Sequence, residues 1–408
     1  MCEQTFVIVG ASLTGATAAA ALRERDADAR VVLVGAEQER PYERPPLSKE
    51  YLRGDEKASR PYVHDEGYYA EHDIDLRAGL TVTAVDPSAR TVTLDGGESL
   101  SYDRLLLATG SENKKLPVPG ADLPGVVQLR TLAESEALQA AAKKAARVAV
   151  IGAGWIGSEV AATARQLGAE VAIIAPEEYP LERVLGTEVG AIYRDLQADH
   201  GIAQHYQAGV ERIEGTDRAT GVRLGDGSLV EADLVVVGVG VRPRVELAEA
   251  AGLEVDNGVL VDEYLATSAE GVYAAGDIAN AWHPVLQERI RVEHWANARS
   301  QGEWAARNLL GEQAAYEKIP YFFSDQFDLG MEYNGYAPSW DRVVIRGDAT
   351  KREFLAFWLR DGRVLAGMNA NIWDAGDDIK ALVKPRASVD ADRLADPSVP
   401  LSDLTPGS

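Results

Sequence analysis

The chain has 408 residues, 46% of them hydrophobic, which is enough for two or three domains that each bury a core. It has no long uncharged apolar run that could span a bilayer, and strand-like sequence begins at residue 5, which leaves no room for a signal peptide. We therefore expect a cytoplasmic protein with no membrane partner. The net charge of −23 argues against a nucleic-acid partner, since phosphates would be repelled, although solubility alone also accounts for the excess acid.

Cysteine chemistry is nearly excluded. Cys2 is the single cysteine, so the chain can form no intramolecular disulfide, no cysteine-rich metal site and no dithiol redox centre. We expect no metal site.

The first predicted βαβ unit contains a glycine-rich turn. It consists of strand 5–9, a helix over about 13–25 and strand 30–35. Such a turn brings backbone amides and a helix N-terminus against a pyrophosphate, although packing alone also produces it. The candidate binding residues are Gly10, Ser12, Leu13, Thr14 and Gly15, with Ser12 in place of the usual middle glycine.

An acid is expected after the second strand of a dinucleotide site, where it accepts hydrogen bonds from the adenosine ribose. Ala36 and Glu37 follow strand 30–35, so Glu37 is the candidate, with a solvated surface glutamate as the alternative. The segment 40–49 contains three prolines and is predicted as a stiff, shaped loop rather than the start of a regular helix. Short strands are expected near 80–85, 90–94 and 103–108.

A second unit repeats the first. Strand 147–151, helix 157–167 and strand 170–174 surround another glycine-rich turn, 152–157, and a helix near 187–200 and strands near 221–224 and 229–237 follow. Two such turns indicate two dinucleotides and electron transfer between them. Ala175 occupies the expected acid position, Glu177 lies two residues on, and no Arg or Lys stands there to pair with a 2′-phosphate. NADH is therefore preferred over NADPH.

Two later segments carry polar residues suited to a ligand. Asp277 ends a predicted strand after Gly276, which lets the backbone approach closely; the alternative is a helix N-cap for the segment from Ile278. Glu293, His294 and Trp295 precede a predicted helix. A stacking role for them on a planar ring competes with a core Trp and a capping His.

The C-terminal region changes character from about residue 320. Aromatic residues become more frequent, and antiparallel strands are predicted near 343–345, 354–358 and 364–367. Residues 390–408 are predicted as a surface coil.

The whole pattern resembles the NADH-dependent ferredoxin reductases of bacterial oxygenase systems, which include putidaredoxin reductase, rubredoxin reductase and the biphenyl-dioxygenase reductase component; apoptosis-inducing factor is a relative. The segments that carry the resemblance, of which the Pro-Pro-Leu-Ser-Lys segment is the most discriminating, are 41–49, 105–110, 129–132, 152–159, 238–243, 275–277 and 324–326.

The resemblance implies an α/β, glutathione-reductase-like fold with two Rossmann-type dinucleotide-binding domains and a C-terminal α+β domain. The expected boundaries are 1–113 and 245–319 for the FAD domain, 114–244 for the NADH domain and 320–408 for the C-terminal domain.

The resemblance also implies residue roles. Arg44 and Arg130 would neutralise the FAD pyrophosphate, Asp277 would bond the ribityl chain, and Trp295 would lie beside the flavin and nicotinamide rings. Lys49 and Glu159 would flank the flavin, where a cation stabilises negative charge on the reduced ring. From the residues alone, an ordinary surface ion pair is the favoured interpretation. The remaining FAD candidates are Val82, Ala108, Thr109, Gly110, Gly276, Glu293 and His294. The NADH candidates are Gly152, Gly154, Trp155, Ile156, Gly157, Glu159, Glu177, Arg183 and Gly240.

Without a cysteine pair near the flavin, electrons from NADH would leave singly, to a small iron–sulfur protein. The expected partner is an acidic ferredoxin that serves a cytochrome P450 or a Rieske-type oxygenase, bound by a monomer or a homodimer. Net repulsion between two acidic proteins would require a local basic patch, and the candidates are Arg289, Arg291, Arg307, Lys380, Lys384 and Arg386. The alternatives are a flavin NADH oxidase or quinone reductase, and an NADH-sensing protein like apoptosis-inducing factor.

Overall fold

The computed structural model describes residues 4–55 and 61–405, so Cys2 lies outside the described residues. The chain divides into two compact units. The first unit comprises residues 4–43, 61–112 and 241–318, and the second comprises 44–55, 113–240 and 319–405. Across the described residues, no helix is long and apolar enough to cross a membrane.

The first unit is built on a five-stranded parallel sheet. Its strands, in spatial order, are Val272–Ala274, Arg104–Leu107, Thr5–Val9, Arg30–Gly35 and Ile74–Ala78. The central strand pairs Val7 with Val32 on one side and with Leu105 on the other. The inner strands are short continuous apolar runs because both faces of the sheet are covered, whereas the edge strand Ile74–Ala78 contains Asp75 and Arg77.

Helix Leu13–Arg25 follows the central strand, and helix Trp295–Leu309 packs against it. A Cβ atom at Gly302 would lie 2.6 Å from the carbonyl oxygen of Thr14, so a glycine is required at this crossing. The other strands of the unit are Val82–Asp86, Thr91–Leu94, Ser99–Ser101, Ser111–Asn113, Val241–Pro243, Val259–Val261, Ala279–His283 and Glu288–Ile290. Its short helices are Tyr68–Glu71 and Glu246–Ala250, with a 3-10 turn at Gly276–Ile278.

The second unit contains another five-stranded parallel sheet, in the order Ala203–His205, Glu170–Ile174, Arg147–Ile151, Leu234–Val237 and Val126–Val127. Helices Leu132–Ala142, Trp155–Gln166 and Glu182–Asp199 accompany it, the last with a kink at Gly186. A three-stranded antiparallel sheet consists of Val210–Gly215, Ala219–Leu224 and Leu229–Glu231.

The same unit includes a five-stranded antiparallel sheet from the C-terminal region. Its strands, in spatial order, are Tyr321–Gln326, Leu329–Gly335, Arg363–Ala370, Glu353–Arg360 and Arg342–Asp348, and helix Gly376–Val383 contacts two of them. Trp358 is fully buried here, and its indole nitrogen donates to the carbonyl oxygen of Leu185 at 3.1 Å. Two parallel sheets and one antiparallel sheet are the architecture expected for the predicted α/β fold class.

Two local predictions are wrong, and a third is refined. Within the predicted loop 40–49, residues Pro45–Ser48 form a 3-10 turn and no regular helix, and the short helix Glu50–Arg53 begins just after this loop. The tail is not a surface coil, because it forms helix Ala391–Ala395 and a 3-10 turn at Leu401–Leu404 and buries Leu394, Leu401 and Leu404 in the core. The segment after Asp277 continues as a strand, so Asp277 does not cap a regular helix.

Candidate functional site

The first glycine-rich turn is shaped by close backbone packing. Gly10 has φ +119°, and a Cβ atom there would lie 2.1 Å from the carbonyl oxygen of Ala108. A Cβ atom at Gly15 would lie 2.0 Å from the carbonyl oxygen of Gly10. Leu13 and Thr14 begin the helix, and both are buried. Glycine is therefore obligatory at both ends of this turn.

The second turn repeats that geometry. Gly152 has φ +107°, with its Cβ position 2.3 Å from the carbonyl oxygen of Gly238, and the Cβ position of Gly157 is 2.0 Å from the carbonyl oxygen of Gly152. The middle residue differs, because a Cβ atom at Gly154 would meet no described atom within 4 Å. Packing within the described part of the chain therefore does not demand this glycine, whereas close approach of a phosphate would.

Each turn leads directly into the N-terminus of a helix. In the described residues, the N-cap Ser12 makes no capping hydrogen bond through its side chain, and the N-cap Gly154 has no side chain that could make one. Amides at the start of a helix carry partial positive charge and hydrogen-bond anions. The geometry is that of two phosphate sites, one in each unit.

The first unit gathers further predicted residues around its turn. A Cβ atom at Gly276, which has φ +80°, would lie 2.5 Å from Thr14 Oγ1, so the segment that carries Asp277 passes directly beside the turn. The amide of Gly276 donates to Gln301 Oε1 at 2.8 Å. Arg291 donates to the carbonyl oxygen of Asp277 at 3.1 Å.

Glu37 is half-buried and accepts a hydrogen bond from the hydroxyl of Tyr42, so it is not a solvated surface glutamate. Ala108 directly follows strand Arg104–Leu107. Its amide donates to the carbonyl oxygen of Val9 at 2.8 Å. Thr109 Oγ1 donates to the carbonyl oxygen of Arg244 at 3.1 Å. Gly110 follows with φ +68°, and Val82 is buried at the start of an antiparallel strand.

His294 and Trp295 stand at the N-terminus of helix Trp295–Leu309. Burial lowers the pKa of His294 to about 4, while the nearby Asp277 carboxylate acts in the opposite direction. Glu293 forms an ion pair with Arg291, and the Arg299 guanidinium lies 5.6 Å from the centre of the Trp295 ring. The lowered pKa favours the neutral imidazole near neutral pH.

The second unit holds a buried ion pair. Lys49 Nζ lies 3.3 Å from Glu159 Oε1, and the two residues are only 7% and 5% exposed. The surface-pair interpretation is therefore wrong. Ser48 Oγ donates to Glu159 Oε2 at 2.5 Å, and Ser324 Oγ donates to Oε1 at 2.7 Å.

Charges and rings surround this pair. Burial raises the pKa of Asp325, which the charge of Glu159 also raises and that of Lys49 lowers. The Lys49 ammonium lies 5.3 Å from the centre of the Phe323 ring. A cation held at the edge of a buried carboxylate in this way can stabilise negative charge that develops beside it.

Arg44 and Arg130, the predicted pyrophosphate ligands, come together within the second unit. Arg44 donates to the carbonyl oxygen of Arg130, and the Arg130 amide donates to Glu134 Oε2 at 2.8 Å. Glu134 also completes a capping box with Thr131 at the start of helix Leu132–Ala142.

The end of strand Glu170–Ile174 corrects the sequence analysis. Ala175 is buried, and Arg183 Nη2 lies 2.6 Å from Glu177 Oε1. An arginine therefore does stand beside the candidate ribose acid, brought there by the start of the next helix. Arg183 is 80% exposed and able to turn outward.

The other NADH candidates of the second unit lie around the turn. Trp155 packs edge-on against Phe322 with ring centres 5.1 Å apart, while Ile156 is 45% exposed. Gly240 has φ +96°.

The sequence matches known proteins over nearly its full length. The family pattern "Pyridine nucleotide-disulphide oxidoreductase" matches residues 4–302, and "Reductase C-terminal" matches residues 321–405. The anthranilate 1,2-dioxygenase system ferredoxin–NAD(+) reductase component of Burkholderia cepacia is 42% identical, with 98% of this chain and 99% of the relative covered. The chain belongs to the ferredoxin reductase family.

Solved structures agree. The ferredoxin reductase for the CYP199A2 system from Rhodopseudomonas palustris superimposes with a TM-score of 0.94 at 36% identity, over 99% of this chain and 100% of that one. The reductase in the covalent putidaredoxin reductase–putidaredoxin complex gives 0.94 at 35% identity, over 99% and 98%. The predicted family, fold class and class of enzyme are confirmed, and the family implies that the chain binds FAD and NAD(P)H.

Several functional candidates of this ferredoxin reductase were missed from the sequence. Ser48 lies beside Lys49 in the Pro-Pro-Leu-Ser-Lys segment, and Ser324 lies in a segment that carried the resemblance, yet neither had a role. Gln301, which is 1% exposed, had no recognisable signal. Among the residues proposed for a basic patch, Arg289, Arg291, Arg307 and Lys380 already bond groups in their own units. The patch stays a prediction.

Proposed function

We propose that this ferredoxin reductase is FAD-dependent and NADH-dependent, with FAD on the first unit and NADH on the second. The predicted domain boundaries, 1–113 with 245–319 for FAD and 114–244 for NADH, are part of this proposal. One observation carries it: each unit has a turn whose end glycines admit no side chain and whose helix N-terminus lacks a side-chain cap.

The residues of the first unit fit FAD. The helix amides after Ser12 would bind its pyrophosphate, Glu37 its adenosine ribose, and Asp277 its ribityl chain. Gly276 permits this arrangement because any larger residue would collide with Thr14. Neutral His294 and Trp295 would border the ring with apolar and weakly polar surface.

The second unit fits NADH. The amides after Gly154 would bind its pyrophosphate, and Glu177 its adenosine ribose. Since Ala175 supplies no carboxylate and Arg183 stands beside Glu177, we propose that NADPH is accepted more weakly rather than rejected.

FAD, when bound, accepts a hydride from NADH and can pass on single electrons. The ammonium of Lys49 would stabilise negative charge that develops on the reduced ring, and Glu159 would hold Lys49 in place. The single cysteine of the chain cannot form an intramolecular dithiol relay, so we propose that electrons pass from FAD directly to an external acceptor.

We propose that this acceptor is an acidic iron–sulfur ferredoxin that serves a cytochrome P450 or a Rieske-type oxygenase. The support comes from the relatives, since one belongs to an anthranilate 1,2-dioxygenase system and another has been solved in complex with putidaredoxin.

Stopped-flow spectroscopy tests the assignment. Protein reduced with NADH under nitrogen is mixed with an iron–sulfur ferredoxin, with the cluster-free ferredoxin as the matched control. We expect the flavin absorbance to recover far faster with the intact ferredoxin than with air-saturated buffer. Recovery no faster than with air would instead identify an oxidase or quinone reductase.

A further inference from the structure

The carboxylate of Glu159, on one helix of the second unit, receives hydrogen bonds from two other parts of that unit. Ser48 and Lys49 belong to the segment 44–55, Glu159 lies in helix Trp155–Gln166, and Ser324 lies in strand Tyr321–Gln326. The two serine hydroxyls are the closest donors, at 2.5 and 2.7 Å, and the ammonium is farther away, at 3.3 Å.

These distances indicate which groups hold the buried carboxylate of Glu159. A carboxylate removed from water needs several donors, and hydrogen bonds to an ionised group are about twice as strong as neutral ones. Because each oxygen of Glu159 accepts a serine hydroxyl, the carboxylate cannot rotate without breaking one of these bonds. Lys49 then meets an oxygen whose position is already fixed.

The serines are themselves held in place. Thr163 Oγ1, one helical turn beyond Glu159, donates to the carbonyl oxygen of Ser48 at 2.8 Å. Ser135 Oγ donates to the carbonyl oxygen of Leu47 at 2.8 Å. Ser324 is fixed by its strand, where it pairs with Met331. Ser48 and Ser324 are 1% and 2% exposed, so water does not compete with them.

We infer that Ser48 and Ser324 are positioning residues, which fix the Glu159 carboxylate so that it holds the Lys49 ammonium in one place during hydride transfer. The inference rests on the proposed function for its catalytic consequence. Its structural part, control of Lys49 through Glu159, does not depend on that function.

A purely structural role makes different predictions. If the hydroxyls only satisfied a buried carboxylate, their removal would lower stability and leave the behaviour of Lys49 unchanged. If they position Glu159, their removal must change the reactivity of the Lys49 amine in the folded protein. This change must occur only when residue 159 is a carboxylate.

The variants are Ser48→Ala, Ser324→Ala and the double variant, each made also in a Glu159→Gln background. Ser158→Ala is the matched control, because Ser158 is a fully buried serine next to Glu159 whose hydroxyl bonds the carbonyl oxygen of Ala153 rather than Glu159. Thermal unfolding of every variant establishes that it is folded at the assay temperature.

The first measurement is the rate at which a small acylating reagent modifies Lys49 in the purified protein, followed by peptide mass spectrometry. We expect acylation to be about fivefold faster or more in the double variant, since a poorly held carboxylate protects the amine less. Ser158→Ala should match the unsubstituted protein. Equal Lys49 acylation in the double variant and the control overturns the inference, whatever the enzyme does.

The second measurement is the limiting rate of flavin reduction by NADH. We expect a loss of about tenfold in the double variant, the size that corresponds to one charge-assisted hydrogen bond. In the Glu159→Gln background the same substitutions should change the rate less than twofold. The inference is overturned if the serine substitutions slow flavin reduction by the same factor in the Glu159 and the Glu159→Gln backgrounds. If NADH reduces neither the unsubstituted protein nor any variant, the proposed function fails. The acylation result still decides the positioning role in that case.

Discussion

The Lys49 ammonium is nearly buried, and its described carboxylate partner, Glu159, is shared with two serine hydroxyls. Taking an ion pair out of water is costly, and its attraction offsets that cost only with good geometry and additional hydrogen bonds. The 3.3 Å separation between Lys49 Nζ and Glu159 Oε1 is longer than an optimal contact of this kind. We therefore propose a chemical role for the ammonium in addition to any contribution to stability.

Replacing Lys49 with alanine should therefore impair chemistry more than cofactor binding. We expect Lys49→Ala to retain FAD and to slow flavin reduction by NADH by about 100-fold, the scale of losing one preorganised charge. Stopped-flow absorbance measures the rate, and the flavin-to-protein absorbance ratio measures retention. Replacement of exposed Lys351 by alanine is the control. A Lys49→Ala variant that is reduced at the original rate would rule out the role.

His294 should make the protein sensitive to acid. Its pKa is lowered from 6.5 to about 4 in the fold, so between these values the unfolded chain binds more protons than the native state. Stability is therefore lost as the pH falls from 6.5 towards 4. We expect His294→Gln to lose less thermal stability over this range than the unsubstituted protein does. Substitution of the exposed His72 by glutamine serves as control, and identical pH profiles for His294→Gln and the unsubstituted protein would contradict the prediction.

The residue-level site was only partly predictable. Lys49 and Glu159 were found from motifs, but the partners that hold Glu159 were not, because Ser48 and Ser324 lie 111 and 165 residues from it along the chain. Local patterns do not encode such contacts. Arg183 was an NADH candidate, but its contact with Glu177 was not predicted, because it depends on how the next helix begins after the strand.

At the level of elements, the two βαβ units were predicted almost to the residue. Strands Thr5–Val9, Arg30–Gly35, Arg147–Ile151 and Glu170–Ile174 have the predicted bounds, because continuous apolar runs ended by glycine leave little choice. The tail was mispredicted, and the 3-10 turn inside the Pro-Pro loop was not foreseen. Tertiary contacts fix both: Ser135 and Thr163 bond the 3-10 turn, and buried leucines order the tail.

Two glycines of the second turn should respond differently to alanine. Gly152→Ala places a Cβ atom 2.3 Å from a backbone oxygen at φ +107°, so we expect it to destabilise the fold by about 2 kcal/mol or more. Gly154→Ala meets no described atom within 4 Å at φ −76°, so stability should change by less than about 0.5 kcal/mol.

Gly154→Ala should nevertheless weaken NADH binding, since the added methyl group would stand where a phosphate approaches. Denaturant unfolding and equilibrium titration measure the two effects separately. NADH affinity that is unchanged in Gly154→Ala would show that this turn does not bind the pyrophosphate.

For the whole molecule, the net charge of −23 governs long-range approach. Repulsion of an acidic ferredoxin is screened beyond about 10 Å at 0.1 M salt. We therefore expect the second-order rate of ferredoxin reduction to rise with ionic strength at low salt. A small neutral quinone is the control, because its rate should not change. A ferredoxin rate that falls with added salt would instead show that a local basic patch dominates the approach.

The most direct test of the central claim is an anaerobic titration of the purified protein with NADH, followed by visible absorption. The account predicts a yellow protein with about one FAD per chain, as each dinucleotide turn binds one ligand, whose colour is lost on addition of NADH. A colourless protein that cannot be reconstituted with FAD would contradict the account, as would a yellow one that neither NADH nor NADPH bleaches.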